Sequence, residues 1–274
     1  MLNQPQLKDI EELQRVCEAE DQIQLKLNWE MLRSRDENEK NDFLYYENGM
    51  LVAFVGLYGF GNKVELCGMV RPDFRRRGIF TNLFNEALQG IRQQNYKEIL
   101  LNAPSNSKSA KEFLKRISCE YSISEYQMKW SEMDLVVEES VTIRPTLPED
   151  LEAEIQLDVR CFGFEEMSAS EYNTRITRDR TQKRYMIETE GNTVGKIRVS
   201  HMDEEAWIYG FAIFPECQGK GIGRKALMKI IMKEHQVGYP IFLEVEAKNA
   251  HALGLYESCG FKSFHTQDYY IFIG

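Results

Sequence analysis

The chain has 274 residues, 43% hydrophobic and 28% charged, with a formal net charge of −9. This composition belongs to a globular protein and excludes disordered and fibrous classes, and its negative balance argues against broad nucleic-acid binding through phosphate neutralisation. No run approaches the roughly eighteen apolar residues of a membrane helix, the first residues lack a secretory signal, and a cytoplasmic location is expected.

In chain order, Leu7 to Glu18 reads as a helix, with Ile10, Leu13 and Val16 at helical spacing. Phe43–Tyr46 and Leu51–Tyr58 read as strands joined by Glu47-Asn48-Gly49, whose Asn-Gly pair favours a tight hairpin. A strand over Val64–Val70 leads to a polar bend and a helix over Gly78–Ile91, with Ile79, Leu83, Ala87 and Ile91 four apart. Glu98–Leu101 is a further strand, Lys111–Ile117 a short helix, and two strand-like pieces end near Trp130. Ser131–Ser140 is the natural boundary, and the domain cut is placed near residue 138.

The second half repeats this order. Strand Val141–Arg144 precedes a turn and a helix over Leu151–Asp158; a second helix spans Ser168–Asp179, with Ser168 or Ser170 as its cap. Tyr185–Glu188 and Val194–Ser200 flank Glu190-Gly191-Asn192, another hairpin signal. Ala206–Phe214 is the strand before a glycine-rich bend, and Leu227, Ile230, Ile231 and Glu234 give the following helix a buried and a polar side. Ile241–Val245 reads as a strand and Ala250–Ser258 as a helix stopped by Gly260. Pro72 and Pro215 stand 143 positions apart, as do Gly78 and Gly221, so the pattern is an internal repeat.

Cys17, Cys67, Cys119, Cys161, Cys217 and Cys259 are dispersed without a CxxC pair, which fits free thiols in a reducing compartment. The four scattered histidines complete no metal-ligand pattern, so no metal is expected.

Gln218-Gly219-Lys220-Gly221-Ile222-Gly223 joins a strand to a helix. At such a junction successive N–H groups can face an anion, reinforced by the unpaired amides of the first helical turn. Gly219 and Gly221 permit unusual dihedrals, and Gly223 keeps the first turn narrow. A Rossmann site fits poorly after hairpin strands, and no P-loop sequence is present.

This segment resembles the Q/R-x-x-G-x-G/A motif of the GCN5-related N-acetyltransferase (GNAT) superfamily. Downstream, Asn249, Ala252, Leu255, Tyr256, Gly260 and Phe261 resemble its N-x-x-A-x-x-L-Y-x-x-x-G-F pattern. The resemblance implies an α/β chain of two domains, each a mixed, mostly antiparallel sheet flanked by helices. Residues 1–138 would form a degenerate copy and residues 139–274 the acetyl-CoA-binding domain. In the first copy Arg75-Arg76-Arg77-Gly78-Ile79-Phe80 places Phe80 where a small residue is expected. Asn106 and Phe113 align there with Asn249 and Tyr256, so a phenol is missing.

The resemblance further implies that acetyl-CoA lies between the strands Ala206–Phe214 and Ile241–Val245. Gln218 to Gly223 would hold its pyrophosphate, backbone around Phe211, Ala212 and Ile213 would face the thioester, and Asn249 would serve the cofactor or the start of the helix. Tyr256 would protonate the departing thiolate. Trp207 stands where some relatives carry a glutamate, leaving Glu244 or Glu246, on one side of their strand, as base candidates. The acceptor is expected to be a small-molecule primary amine, with no nucleic-acid or membrane partner and an open oligomeric state. The alternative is a non-catalytic acyl-CoA-binding sensor or interaction module.

Overall fold

A computed structural model describes residues 2–35, 40–94, 96–134, 139–179, 181–202 and 204–274. The chain forms two compact units: Met1–Ser124 with His265–Gly274, and Glu125–Phe264. The cut near residue 138 lies outside the described residues.

The first unit opens with α1 (Gln4–Asp21), longer at both ends than its apolar spacing predicts. Asn3 and Gln6 explain the early start, because each side chain caps the other's backbone N–H in a capping box. A short α2 (Trp29–Arg33) follows, then β1 (Asp42–Glu47), β2 (Met50–Phe60) and β3 (Lys63–Val70). Asn48 and Gly49 both take positive φ, 51° and 79°, as a tight hairpin turn between β1 and β2 requires. Helix α3 (Ile79–Ile91) leads to β4 (Glu98–Pro104), α4 (Lys108–Leu114) and β5 (Cys119–Trp130). The two strand-like pieces expected before Trp130 are thus one strand.

β2 is buried almost throughout because helices cover both of its faces. Val55 and Leu57 pack with the α3 core, whereas Phe54 and Tyr58 join a second core with Ile10 and Leu13 of α1. Alternation along the strand supplies both layers.

The second unit contains β6 (Thr142–Pro145), α5 (Leu151–Phe162), α6 (Glu166–Arg178), β7 (Gln182–Thr189), β8 (Asn192–Met202) and β9 (Glu205–Ile213). These are followed by α7 (Ile222–Val237), β10 (Ile241–Glu246), α8 (Ala250–Ser258) and β11 (Phe261–Phe272). Helix α6 starts at Glu166, so neither Ser168 nor Ser170 is its cap. Glu234 is fully buried in α7 and paired with His201.

Strand order in the first unit is β1-β2-β3-β4-β11, and in the second β5-β10-β9-β8-β7-β6. Among the described residues β3 with β4 and β9 with β10 pair in parallel, while β1–β2, β2–β3, β4–β11, β5–β10, β6–β7, β7–β8 and β8–β9 are antiparallel. Two strands serve both units: residues 119–124 of β5 and 265–272 of β11 belong to the first, and residues 125–130 and 261–264 to the second. The returning segment Gln267–Ile271 pairs with Leu100–Pro104 of β4. Among the described residues no helix is long and apolar enough to cross a membrane.

Candidate functional site

In each unit a parallel strand pair opens partway along. β9 and β10 pair at Ala206–Ile241, Trp207–Phe242 and Ile208–Leu243 and then diverge. β3 and β4 pair from Lys63–Glu98 to Leu66–Leu101 and likewise part.

Beyond the split, β9 carries a bulge. Its register with β8 jumps between Lys196 and Arg198, leaving Gly210, at φ +55°, and Phe211 without a partner on either neighbouring strand. An inserted residue also reverses the alternation of side chains. Trp207 and Tyr209 therefore share a face, with Trp207 stacked on Phe242 at 4.9 Å, while Phe211 turns to the opposite face and packs 6.5 Å from the Tyr256 ring. This change of face leaves no mark in the sequence pattern of the strand.

The bend after β9 supplies the second component. A 3-10 turn at Pro215–Cys217 passes into Gln218, extended at φ −70°, and Gly221 then begins α7 in the left-handed region at φ 75°, ψ 0°. Gly219 is also left-handed, at φ 73°. Gln218 Nε2 donates to the Ile213 carbonyl at 2.8 Å and Lys220 Nζ to the Glu216 carbonyl at 2.9 Å, which pins the bend from both ends. None of the N–H groups from Gly219 to Arg224 donates to an acceptor among the described residues. Six consecutive undonated amides at the start of a 16-residue helix, with the helix field behind them, suit a phosphate or diphosphate. Gly223 is not sterically required: a Cβ there would sit 3.5 Å from Phe211 and 3.6 Å from Leu255, ordinary contact distances.

Tyr256 lies on α8 with its ring buried between Phe211 and Phe261. Its hydroxyl has no hydrogen-bond partner among the described residues, yet it is not among the fully enclosed polar atoms. Burial, with a smaller contribution from Cys259, pushes the phenol up to about 12, so it stays protonated at neutral pH. Asn249 caps α8, its Oδ1 accepting from the Ala252 N–H at 3.1 Å, so that oxygen is already committed to the helix start.

Leu243 and Val245 pack in the same core as Tyr256; Glu244 and Glu246 consequently project from the other face of β10, that of Trp207. Glu244 accepts from Gln127 Nε2 at 3.0 Å, while Glu246 is exposed opposite Glu125. Behind this face, under α5 and α6, lies a buried ionic layer that the sequence did not reveal. Lys196 pairs with Asp158 at 2.7 Å, Arg184 with Glu154 at 2.7 Å, and Asn173 donates to Asp158 at 2.6 Å.

The first unit reproduces the bend closely. Arg75 is extended at φ −67° and Gly78 begins α3 at φ 77°, ψ −4°. Arg75 Nε donates to the Val70 carbonyl at 3.0 Å and an Arg77 Nη to the Asp73 carbonyl at 2.8 Å, matching the bonds of Gln218 and Lys220. Cys17 donates to the Val70 carbonyl as Cys161 does to that of Ile213, each at 3.4 Å. Arg76 holds the left-handed position of Gly219, at φ 62°, with a side chain on it.

The helix after β4 corrects the sequence alignment by one residue. Ser107, not Asn106, caps α4: its Oγ accepts from the Ala110 N–H at 3.2 Å, whereas Asn106 donates to the Gln22 carbonyl at 3.1 Å. Counted from these caps, Leu114 rather than Phe113 stands in the place of Tyr256, and both are core residues. The phenol is absent from the first unit in either alignment.

An Acetyltransferase (GNAT) family model matches residues 6–118 and again residues 151–261. Among curated proteins, the ribosomal protein bS18-alanine N-acetyltransferase of Escherichia coli strain K12 is 41% identical over 59 residues, 21% of this chain and 40% of that protein. The chain thus matches less than half the length of this relative. A GCN5-related N-acetyltransferase from Sphaerobacter thermophilus superposes with a TM-score of 0.75 at 17% identity, covering 96% of this chain and 91% of the other. A tandem GNAT protein from the clavulanic acid biosynthesis pathway gives 0.71 at 14% identity, with 97% and 94% covered. At these identities the two structures speak for the fold. The same family model spans most of both halves, and the chain is a tandem-domain member of the acetyltransferase (GNAT) family.

Proposed function

We propose that the second unit transfers an acetyl group from acetyl-CoA to the primary amine of a small acceptor by direct attack. The observation that carries this reading is the row of undonated amides from Gly219 to Arg224 beside an opened parallel strand pair. Those amides bind the diphosphate, and the peptide groups at Gly210 and Phe211 orient the thioester, whose oxygen gains negative charge in the reaction. When bound, acetyl-CoA supplies the activated acyl group. Holding it beside the amine removes much of the entropic barrier.

Tyr256 keeps a proton on its phenol oxygen for the departing thiolate. Glu244 or Glu246, on the opposite face of β10, receives the proton lost by the amine, directly or through water. Trp207, Tyr209 and Phe242 line that face and offer an apolar surface to the acceptor. All six cysteines are free, which supports a reducing, cytoplasmic setting. No acyl-enzyme is needed, and burial raises the Cys259 thiol.

The test is release of free CoA from acetyl-CoA by the full chain across a panel of small amines. Amine-dependent release supports transfer. Saturable acetyl-CoA binding with no release across the panel favours a non-catalytic acyl-CoA-binding module.

A further inference from the structure

Lys196, Arg184 and Arg198 share the face of the second-unit sheet that carries Trp207 and Glu244, and two of the three have their own counter-ion. Lys196 pairs with Asp158 and Arg184 with Glu154, each at 2.7 Å. Arg198 stands between Arg184 and Tyr209 in the strand register. Among the described residues no carboxylate pairs with it.

Aromatic rings hold Arg198 instead. Its guanidinium lies 5.3 Å from the centre of the Tyr209 ring and 5.9 Å from that of Tyr172 on α6, contacts that favour a cation without neutralising it. Nη2 donates to the Tyr172 hydroxyl at 3.2 Å, and that hydroxyl donates in turn to no acceptor among the described residues. Nη1 is enclosed and has no hydrogen-bond partner. A buried guanidinium nitrogen without an acceptor is costly. Two unused donors on one cationic group match the two oxygens of a carboxylate.

The register ties this group to the acceptor face. Leu243 pairs with Ile208, so Glu244 and Tyr209, each one residue on, stand level on their strands. Tyr209 in turn pairs with Arg198. Glu244 and Arg198 thus flank Tyr209 on one face, two strand spacings or roughly 10 Å apart at the backbone, plus the opening between β9 and β10. Both side chains are long, and one small molecule can meet both.

We infer that the acceptor of the second unit carries a carboxylate as well as its amine. One carboxylate oxygen accepts from Arg198 Nη1 and the other from the Tyr172 hydroxyl, while the amine lies on the Glu244 side. Tyr172, half-buried on α6, is the covering group that shifts to admit the carboxylate. The inference rests on the reading of the second unit as the acetyl-transferring site.

The test uses the full chain and pairs of amines that differ only in the carboxylate: L-phenylalanine, L-leucine, L-methionine and 4-aminobutyrate, each against its carboxamide. CoA release from acetyl-CoA gives kcat/KM, and calorimetric titration in the presence of CoA gives affinity without turnover. At least one acid should exceed its amide about 10–100-fold. That ratio should fall to within about threefold in Arg198→Met and drop about tenfold in Tyr172→Phe, with acetyl-CoA affinity and urea unfolding checking that each variant is folded. If Arg198→Met does not fold, Tyr172→Phe, which keeps the ring, decides together with the unmutated chain. Acids and amides within threefold of each other in every pair, or a preference that survives both substitutions, overturn the inference; if CoA is still released, the transfer reading stands without it. A carboxylate preference in affinity that both substitutions abolish, with no CoA release from any pair, upholds the carboxylate site and removes the transfer reading. No affinity and no turnover with any acid overturns the inference.

Discussion

Gly221→Ala isolates the conformational requirement of the bend. Nothing lies within 4 Å of a Cβ added there, so no clash contributes; the cost is that of holding an L-residue at φ +75°, about 1–2 kcal/mol. If the free protein tolerates the strain, the whole cost appears as reduced stability. If the bend relaxes, binding must restore it, and the remainder appears as weaker affinity for acetyl-CoA, up to about 5–30-fold at 1.4 kcal/mol per decade. The two losses should therefore sum to about 1–2 kcal/mol, measured by urea unfolding of the second unit and by calorimetric titration. Gly223→Ala is the control, since its Cβ would meet Phe211, Leu255 and Ile213 at 3.5 to 3.7 Å without positive φ. It should leave affinity within about twofold and, by helix propensity, stability equal or higher by up to about 1 kcal/mol. A combined loss below about 0.5 kcal/mol in Gly221→Ala, or an equal loss in Gly223→Ala, would refute the reasoning.

Tyr256→Phe keeps the ring contacts with Phe211 and Phe261 and deletes a hydroxyl without a partner, so folding and acetyl-CoA affinity should hold while kcat falls about 10²–10⁴-fold; unchanged turnover defeats the general-acid role. The Tyr256 phenol is raised from 10.0 to about 12, so the fold favours its protonated form. Its contribution to stability is complete below about pH 10 and is lost as pH climbs through about 12. A pH–rate profile should accordingly show no alkaline loss due to Tyr256 below about pH 11, and a drop near pH 8–9 that vanishes in Tyr256→Phe would contradict this. Lys196→Met strands the Asp158 carboxylate, whose side chain is 3% exposed; urea unfolding should report a loss of about 3–5 kcal/mol, and a loss under about 1 kcal/mol would mean that Asn173 alone satisfies Asp158.

Much of this architecture was legible because local chemistry and tertiary position agree. Asn48-Gly49 can hardly be anything but a hairpin turn, and the glycines at 78 and 221 mark helix starts in both halves. What escaped sequence reading depends on partners distant in the chain. β11 mixes polar and apolar residues without a clean period, because its two ends serve different units. Phe80 looked like damage, since Gly68, where a Cβ would come within 2.8 Å of its ring, lies on another element. The repeat spacing of 143 also hid a one-residue change: the bulge at Gly210 inserts a residue, and the cap at Ser107 resets the count after the helix. Asn102 did leave a signal, a lone amide in the run Ile99-Leu100-Leu101-Asn102-Ala103, but its burial with no partner for either end of the amide shows only in the structure.

The shared last strand bears on how the molecule is made. During translation β4 leaves the ribosome more than a hundred and fifty residues before its neighbour, Gln267–Ile271. Throughout that interval the nascent first half exposes a bare strand edge, the kind that invites pairing with other chains. The half synthesised first is thus the half completed last, and its protection during synthesis falls to chaperones or to speed.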